Sequence, residues 1–203
     1  MGDSSLRDPI ASALVSDSHY ERLRARRYSL FETSIPQTLA LQGLILATLA
    51  LVLPLAMTLP ASARALFPGG DPLASTPKIL LLGAYAGAIE TAAGLGLAYV
   101  GYRLYRHHGN LSEHEARHLL NVEDVASMIG LVTGAVAVLA LDGFFLLGHA
   151  GQGAISAFLA AGGKNPFAAT PIPVTVVGIA VPAAVLSIVL FALSWAFARC
   201  LPS

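Results

Sequence analysis

The sequence predicts an all-α integral membrane protein, a four-transmembrane-helix bundle with N- and C-termini cytoplasmic. Three observations carry that prediction. Hydrophobic residues make up 55% of the chain and charged residues only 12%, about half the charge of a soluble domain. Four apolar stretches each reach the roughly 20 residues that a helix needs to cross a bilayer core. The basic residues gather on one side of those stretches. The formal net charge is zero, so no overall basic surface points to nucleic acid. A single cysteine, Cys200, rules out an intrachain disulfide framework.

Residues 1–35 read as a cytoplasmic basic tail holding Arg7, Arg22, Arg24, Arg26 and Arg27. The first apolar run begins too far in, and is too long, for a signal peptide. Tyr20, Leu23, Leu30 and Phe31 are spaced to form one face of an interfacial helix over 19–31. That face is thin, and a solvated tail is the simpler reading. Residues 36–203 hold the transmembrane domain. Span one covers 37–59, follows Pro36 and contains Pro54, which bends it near its far end. A Pro- and Gly-rich loop, 61–78, leads to span two at 79–102. A polar connection, 103–124, leads to span three at 125–150. A small-residue loop, 151–170, precedes span four at 171–198, which Pro171 and Pro173 open and Pro182 interrupts.

Four spans place the N-terminus, residues 103–124 and the C-terminus on one side. That side carries Arg7, Arg22, Arg24, Arg26, Arg27, Arg103, Arg106, Arg117 and Arg199. The other carries only Arg64, Lys78 and Lys164. The excess of basic residues marks the first side as cytoplasmic. Tyr99, Tyr102, Tyr105, Trp195 and Phe197 gather near the same interface, where amphipathic rings prefer to lie. The absence of a cleavable signal and the arginine bias suggest a bacterial inner (plasma) membrane.

Lipid tails give helices no hydrophobic reason to associate, so close contact needs small residues. Gly83 and Gly87 share a face of span two, and Gly130 and Gly134 share one of span three. These faces predict a tight hairpin of spans two and three, or a contact with a second copy or another membrane subunit.

Two carboxylates fall inside apolar segments. Glu90 lies twelve residues after Lys78, about 18 Å into span two at 1.5 Å per residue. That is near the bilayer centre, where a charge costs roughly 3 kcal/mol on insertion scales. Such a group faces the bundle, finds a partner or keeps its proton, and it is a candidate for ion coupling. Asp142 lies seven residues before His149, about 10 Å from the end of span three. It is either a snorkelling side chain or, with His149, an outer vestibule that feeds Glu90.

Residues 114–118 read His-Glu-Ala-Arg-His. The i, i+4 spacing puts His114 and His118 on one helix face as zinc ligands, with Glu115 placed to activate bound water. The motif, with Leu141-Asp142-Gly143 on a later span, resembles the site-2 type membrane proteases. The resemblance covers eight residues and implies a zinc hydrolase. Against it, His118 and Asp142 stand 24 residues apart along one helical run, about 36 Å. His107, His108 or Glu123 would then have to supply the third ligand. A plainer reading makes Ser112 an N-cap and Glu115 its capping-box partner.

The leading functional expectation is a non-catalytic integral membrane subunit that assembles with itself or a larger membrane complex. Small size, small-residue faces and the lack of a complete catalytic set support it. The alternatives are a small proton- or cation-coupled transporter or channel using Glu90, and the zinc hydrolase. Zinc is the only cofactor that the sequence raises.

Overall fold

The computed structural model describes residues 19–26, 33–107 and 111–201. Among these, the chain is all-helical, and four helices are long and apolar enough to cross a membrane: Ile35–Met57, Leu80–His107, Glu113–His149 and Val176–Cys200. This is the architecture of a multi-pass integral membrane protein. Leu30 and Phe31, in the expected interfacial segment, lie outside the described residues.

α1 (His19–Arg26) is a short amphipathic helix. It does not turn its aromatic residue outward. Tyr20 is buried, and its hydroxyl donates a hydrogen bond to Glu123. The first crossing is α2 (Ile35–Ala50) followed by α3 (Val52–Met57). It starts two residues before the expected boundary because Ser34 caps it: the Ser34 hydroxyl accepts from the Gln37 amide while Gln37 reaches back to the Ser34 amide. Pro54 has no N–H to give the Ala50 carbonyl, and the helix yields to a turn at Leu51. The short α4 (Ala61–Arg64) and a tight turn at Pro68–Gly70 fill the following loop.

The second crossing is α5 (Leu80–His107). The third differs most from the sequence expectation. The polar stretch before it is mostly helix, not loop. α6 (Glu113–Met128), a π-helical turn (Ile129–Gly134) and α7 (Ala135–His149) run on without a break. Ser112 caps α6, and Glu115 completes the capping box, so the helix starts twelve residues before its apolar part. Its 37 residues measure about 55 Å, far more than the ~30 Å of a bilayer core. The polar first turns therefore stand beyond the apolar zone, and α1 packs on them.

The small-residue loop also contains a helix, α8 (Gln152–Ala160). Gly151, at φ +87°, ends α7 in a conformation that only glycine adopts readily, and an Ala-rich run then restarts. At nine residues it is too short to cross a bilayer. The fourth crossing, α9 (Val176–Cys200), begins at the Thr175 cap rather than at Pro171, since two prolines hold the preceding chain extended.

Packing contacts set the helix directions. The Ser187 hydroxyl donates to the Gly43 carbonyl and that of Ser194 to the Pro36 carbonyl, both at 2.7 Å, so α2 and α9 run antiparallel. Gly83, Gly94 and Gly101 of α5 face Ile179, Leu190 and Phe197 of α9. The sequence separation is the same at all three contacts, so α5 and α9 run parallel. Ala93 meets Gly130, and Leu141 meets Gly83, which makes α5 antiparallel to the third crossing. At the end remote from Arg103, Phe67, Phe145 and Phe167 close the bundle, with the Phe67 and Phe167 rings stacked at 4.5 Å. There the two long loops also pair, through Lys78 N–H to the Ala168 carbonyl and Thr170 N–H to the Thr76 carbonyl.

Candidate functional site

The buried face of α5 reads Gly83, Ala86, Glu90, Ala93, Gly94, Leu97, the three- and four-residue spacing of a helix stripe. Every member is small or apolar except one. Glu90 has no solvent exposure at all, and neither of its carboxyl oxygens has a hydrogen-bond partner. A buried carboxyl without a partner is rare in folded proteins, and rarer still in a membrane helix.

Space for it comes from the third crossing. A Cβ added to Gly134 would lie 2.8 Å from Cδ of Glu90, and closer still to Oε1. The carboxyl therefore occupies the volume that any other residue at 134 would fill. Gly134 closes the π-turn Ile129–Gly134, a feature frequent at functional sites because its wider turn frees backbone groups.

One turn away on each helix sits a second polar side chain, which the sequence reasoning missed. Gln42 of α2 is completely buried. Its Nε2 donates to the Ala126 carbonyl at 3.4 Å and would meet a Cβ on Gly130 at 2.5 Å. Its Oε1 lies beside Gly94 and has no partner. The signal was present: Gln42 interrupts an apolar span as Glu90 does, and the same criterion would have found it. Gly130 and Gly134 thus each face a buried polar group.

Further along the same face lie Asp142 and His149. Asp142 is 7% exposed, and its Oδ1 has no partner. It does not snorkel freely to the surface. It lies on the wall of a groove between α7 and the α2–α3 bend. His149, half-buried, bonds through Nε2 to the Thr58 hydroxyl and through Nδ1 to the Phe145 carbonyl, both at 3.0 Å. The buried face of the third crossing therefore runs through Glu123, Ser127, Gly130 against Gln42, Gly134 against Glu90, and Asp142 in succession.

The histidine motif stands apart from all of this. His114 and His118 are exposed near the start of α6. Glu115 is engaged in capping, accepting from the Ser112 amide at 3.1 Å and its hydroxyl at 2.8 Å, and it pairs with Arg103 at 3.0 Å. Since the helix is continuous from Glu113 to His149, His118 and Asp142 are held about 36 Å apart. The structure does not bring together the two halves of the protease-like pattern. Among the described residues, no three His, Cys, Asp or Glu side chains group closely enough to hold a metal ion. His108 lies outside the described residues.

Of the aromatic residues near Arg103, Phe197 packs on Gly101. Tyr99, Tyr102, Tyr105 and Trp195 are exposed, Arg106 donates to the Tyr102 hydroxyl, and Arg199 lies 3.5 Å over the Trp195 ring. Compared with known proteins, the chain matches no family model, no curated protein and no solved structure.

Proposed function

We propose that this chain is a small proton- or cation-coupled membrane transporter or channel in which Glu90 is the coupling group. One observation carries the reading: a carboxyl with no exposure and no hydrogen-bond partner, in the middle of a four-helix bundle, seated in room vacated by Gly134. A buried ionisable side chain at that depth is costly to keep, and it is a functional site by default. Gln42 on one side and Asp142 with His149 on the other extend the polar line toward both ends of the bundle. Both termini are assigned to the cytoplasm on the nine-to-three distribution of Arg and Lys, and the membrane to a bacterial plasma membrane.

The glycine contacts favour the coupling reading over the assembly reading. Gly83, Gly130 and Gly134 contact side chains of this same chain, and Gly87 faces Leu49. Their small faces are used inside the bundle. Among the described residues, no third ligand groups with His114 and His118.

The test is proton uptake into liposomes carrying the purified protein. A potassium gradient with valinomycin sets the membrane potential, and a trapped dye reports internal pH. Wild-type vesicles acidify faster than empty ones, and Glu90→Gln reduces the rate to that of empty vesicles while melting like wild type. Equal rates for wild type and Glu90→Gln, or for wild type and empty vesicles, overturn the proposal.

A further inference from the structure

The bend at Pro54 opens a groove of about 440 Å³ on the flank of the bundle. Thr48, Leu51, Pro54 and Leu55 form one wall, and Leu139, Gly143 and Leu146 the other. Leu51, Leu139 and Leu146 are largely exposed, so the mouth faces the lipid side rather than the bundle interior. The size falls within the ~300–1,000 Å³ of ligand pockets, whose walls are mostly apolar with a few polar groups.

This groove differs from an ordinary lipid crevice in one respect. Asp142 lines it and is more than nine-tenths buried. Among the described residues, no other lining residue is ionisable. His149 lies behind the lining residue Thr58 and is occupied with its hydroxyl. An acyl chain in the groove would leave the carboxylate unpaired, which is the expensive outcome in a dry site. An occupant that satisfies both walls and carboxylate is apolar and carries a delocalised positive charge.

We infer that the Pro54 groove binds lipophilic cations, with Asp142 as their counter-ion. As cargo, such a cation names the substrate class of the transport reading. The inference rests on that reading for its purpose only, since binding is measured without flux. The two groups would divide the work: Asp142 holds the cation and Glu90 carries the coupling ion.

The probe is radiolabelled tetraphenylphosphonium, added to purified full-length protein in maltoside detergent and measured by equilibrium dialysis. Tetraphenylborate, an anion of the same shape, is the control. Wild type binds the cation saturably and the anion no better than protein-free micelles do. Asp142→Asn weakens cation binding about tenfold or more, as expected when one partner of a desolvated charge pair is removed. Gly143→Leu provides a second route that keeps the carboxylate. A Cβ at 143 meets nothing within 4 Å, so the leucine enters the groove without disturbing the helices, and binding is lost while the melt is unchanged. Equal binding of cation and anion reduces the groove to an apolar crevice and overturns the inference. So does wild-type affinity in both Asp142→Asn and Gly143→Leu. None of these outcomes alters the proton-uptake result, so the two proposals fail separately.

Discussion

Gly134→Ala isolates the contact on which the proposed site depends. Two effects of opposite sign compete. In a helix interior, alanine is favoured over glycine by about 1 kcal/mol. Against that, the new methyl group would stand 2.8 Å from Cδ of Glu90, closer than real Cβ contacts come. Glu90 is fully buried, so its side chain has nowhere ready to move. Overpacking of this kind costs about 1–3 kcal/mol, and clash should outweigh propensity. Gly134→Ala therefore destabilises the protein by up to roughly 2 kcal/mol. In a Glu90→Ala background the obstruction is gone, and the same substitution becomes neutral or stabilising by up to about 1 kcal/mol. The coupling between the two sites is then about 2 kcal/mol, within the range for residues in contact. Unfolding by SDS titration from mixed micelles, followed by circular dichroism, measures all four members of the cycle. An equal effect of Gly134→Ala in both backgrounds would refute the contact and, with it, the glycine's role in housing the carboxyl.

Glu90→Met, similar in length and without polar atoms, raises stability by roughly 1–3 kcal/mol, the penalty of a buried unpartnered polar group; a lower SDS midpoint than wild type contradicts this. Gly101→Leu destabilises by about 1–3 kcal/mol, because a Cβ there meets the Phe197 ring at 2.5–2.9 Å; adding Phe197→Ala should return most of the loss in the same titration. Ser112→Ala costs about 1 kcal/mol as a lost N-cap, seen as faster amide exchange in the first turn of α6 and not elsewhere. Tyr20→Phe removes the hydrogen bond to Glu123, worth about 1–3 kcal/mol to a charged acceptor. The expected sign is faster trypsin cleavage after Arg22, and an unchanged rate would mean that α1 docks by other contacts.

Much of the fold could be read from the chain because the bilayer demands so little ambiguity of it. A crossing helix needs a long apolar run, and four such runs stand out. Errors in their ends came from caps and prolines. Ser34 and Thr175 hold the helix starts that Pro36 and Pro171 were expected to set. The third crossing was cut short because hydropathy stops at Val125, whereas hydrogen bonding continues back to the Ser112 cap. α8 was missed because Ala- and Gly-rich sequence reads as loop, and only the Gly151 break shows where a separate helix starts. The docking of α1 depends on a contact between residues 103 positions apart, which no local pattern announces. The π-turn has no signature in Ile129-Gly-Leu-Val-Thr-Gly.

The site was half legible for a different physical reason. Glu90 and Asp142 declare themselves because charge in an apolar run is exceptional, while an amide such as Gln42 only dents the hydropathy. The glycines were seen but their purpose was read too narrowly, as surfaces for backbones to approach. Gly130 and Gly134 instead leave volume that the side chains of Gln42 and Glu90 fill. Each half of such a contact is unfavourable alone: glycine weakens a helix by about 1 kcal/mol against alanine, and a charge at bilayer depth costs about 3 kcal/mol. An alanine at 134 facing a small apolar residue at 90 would pack the same two helices without either cost. A bundle needing only to hold together has no use for the costlier pair, and a bundle that must admit an ion to its centre does.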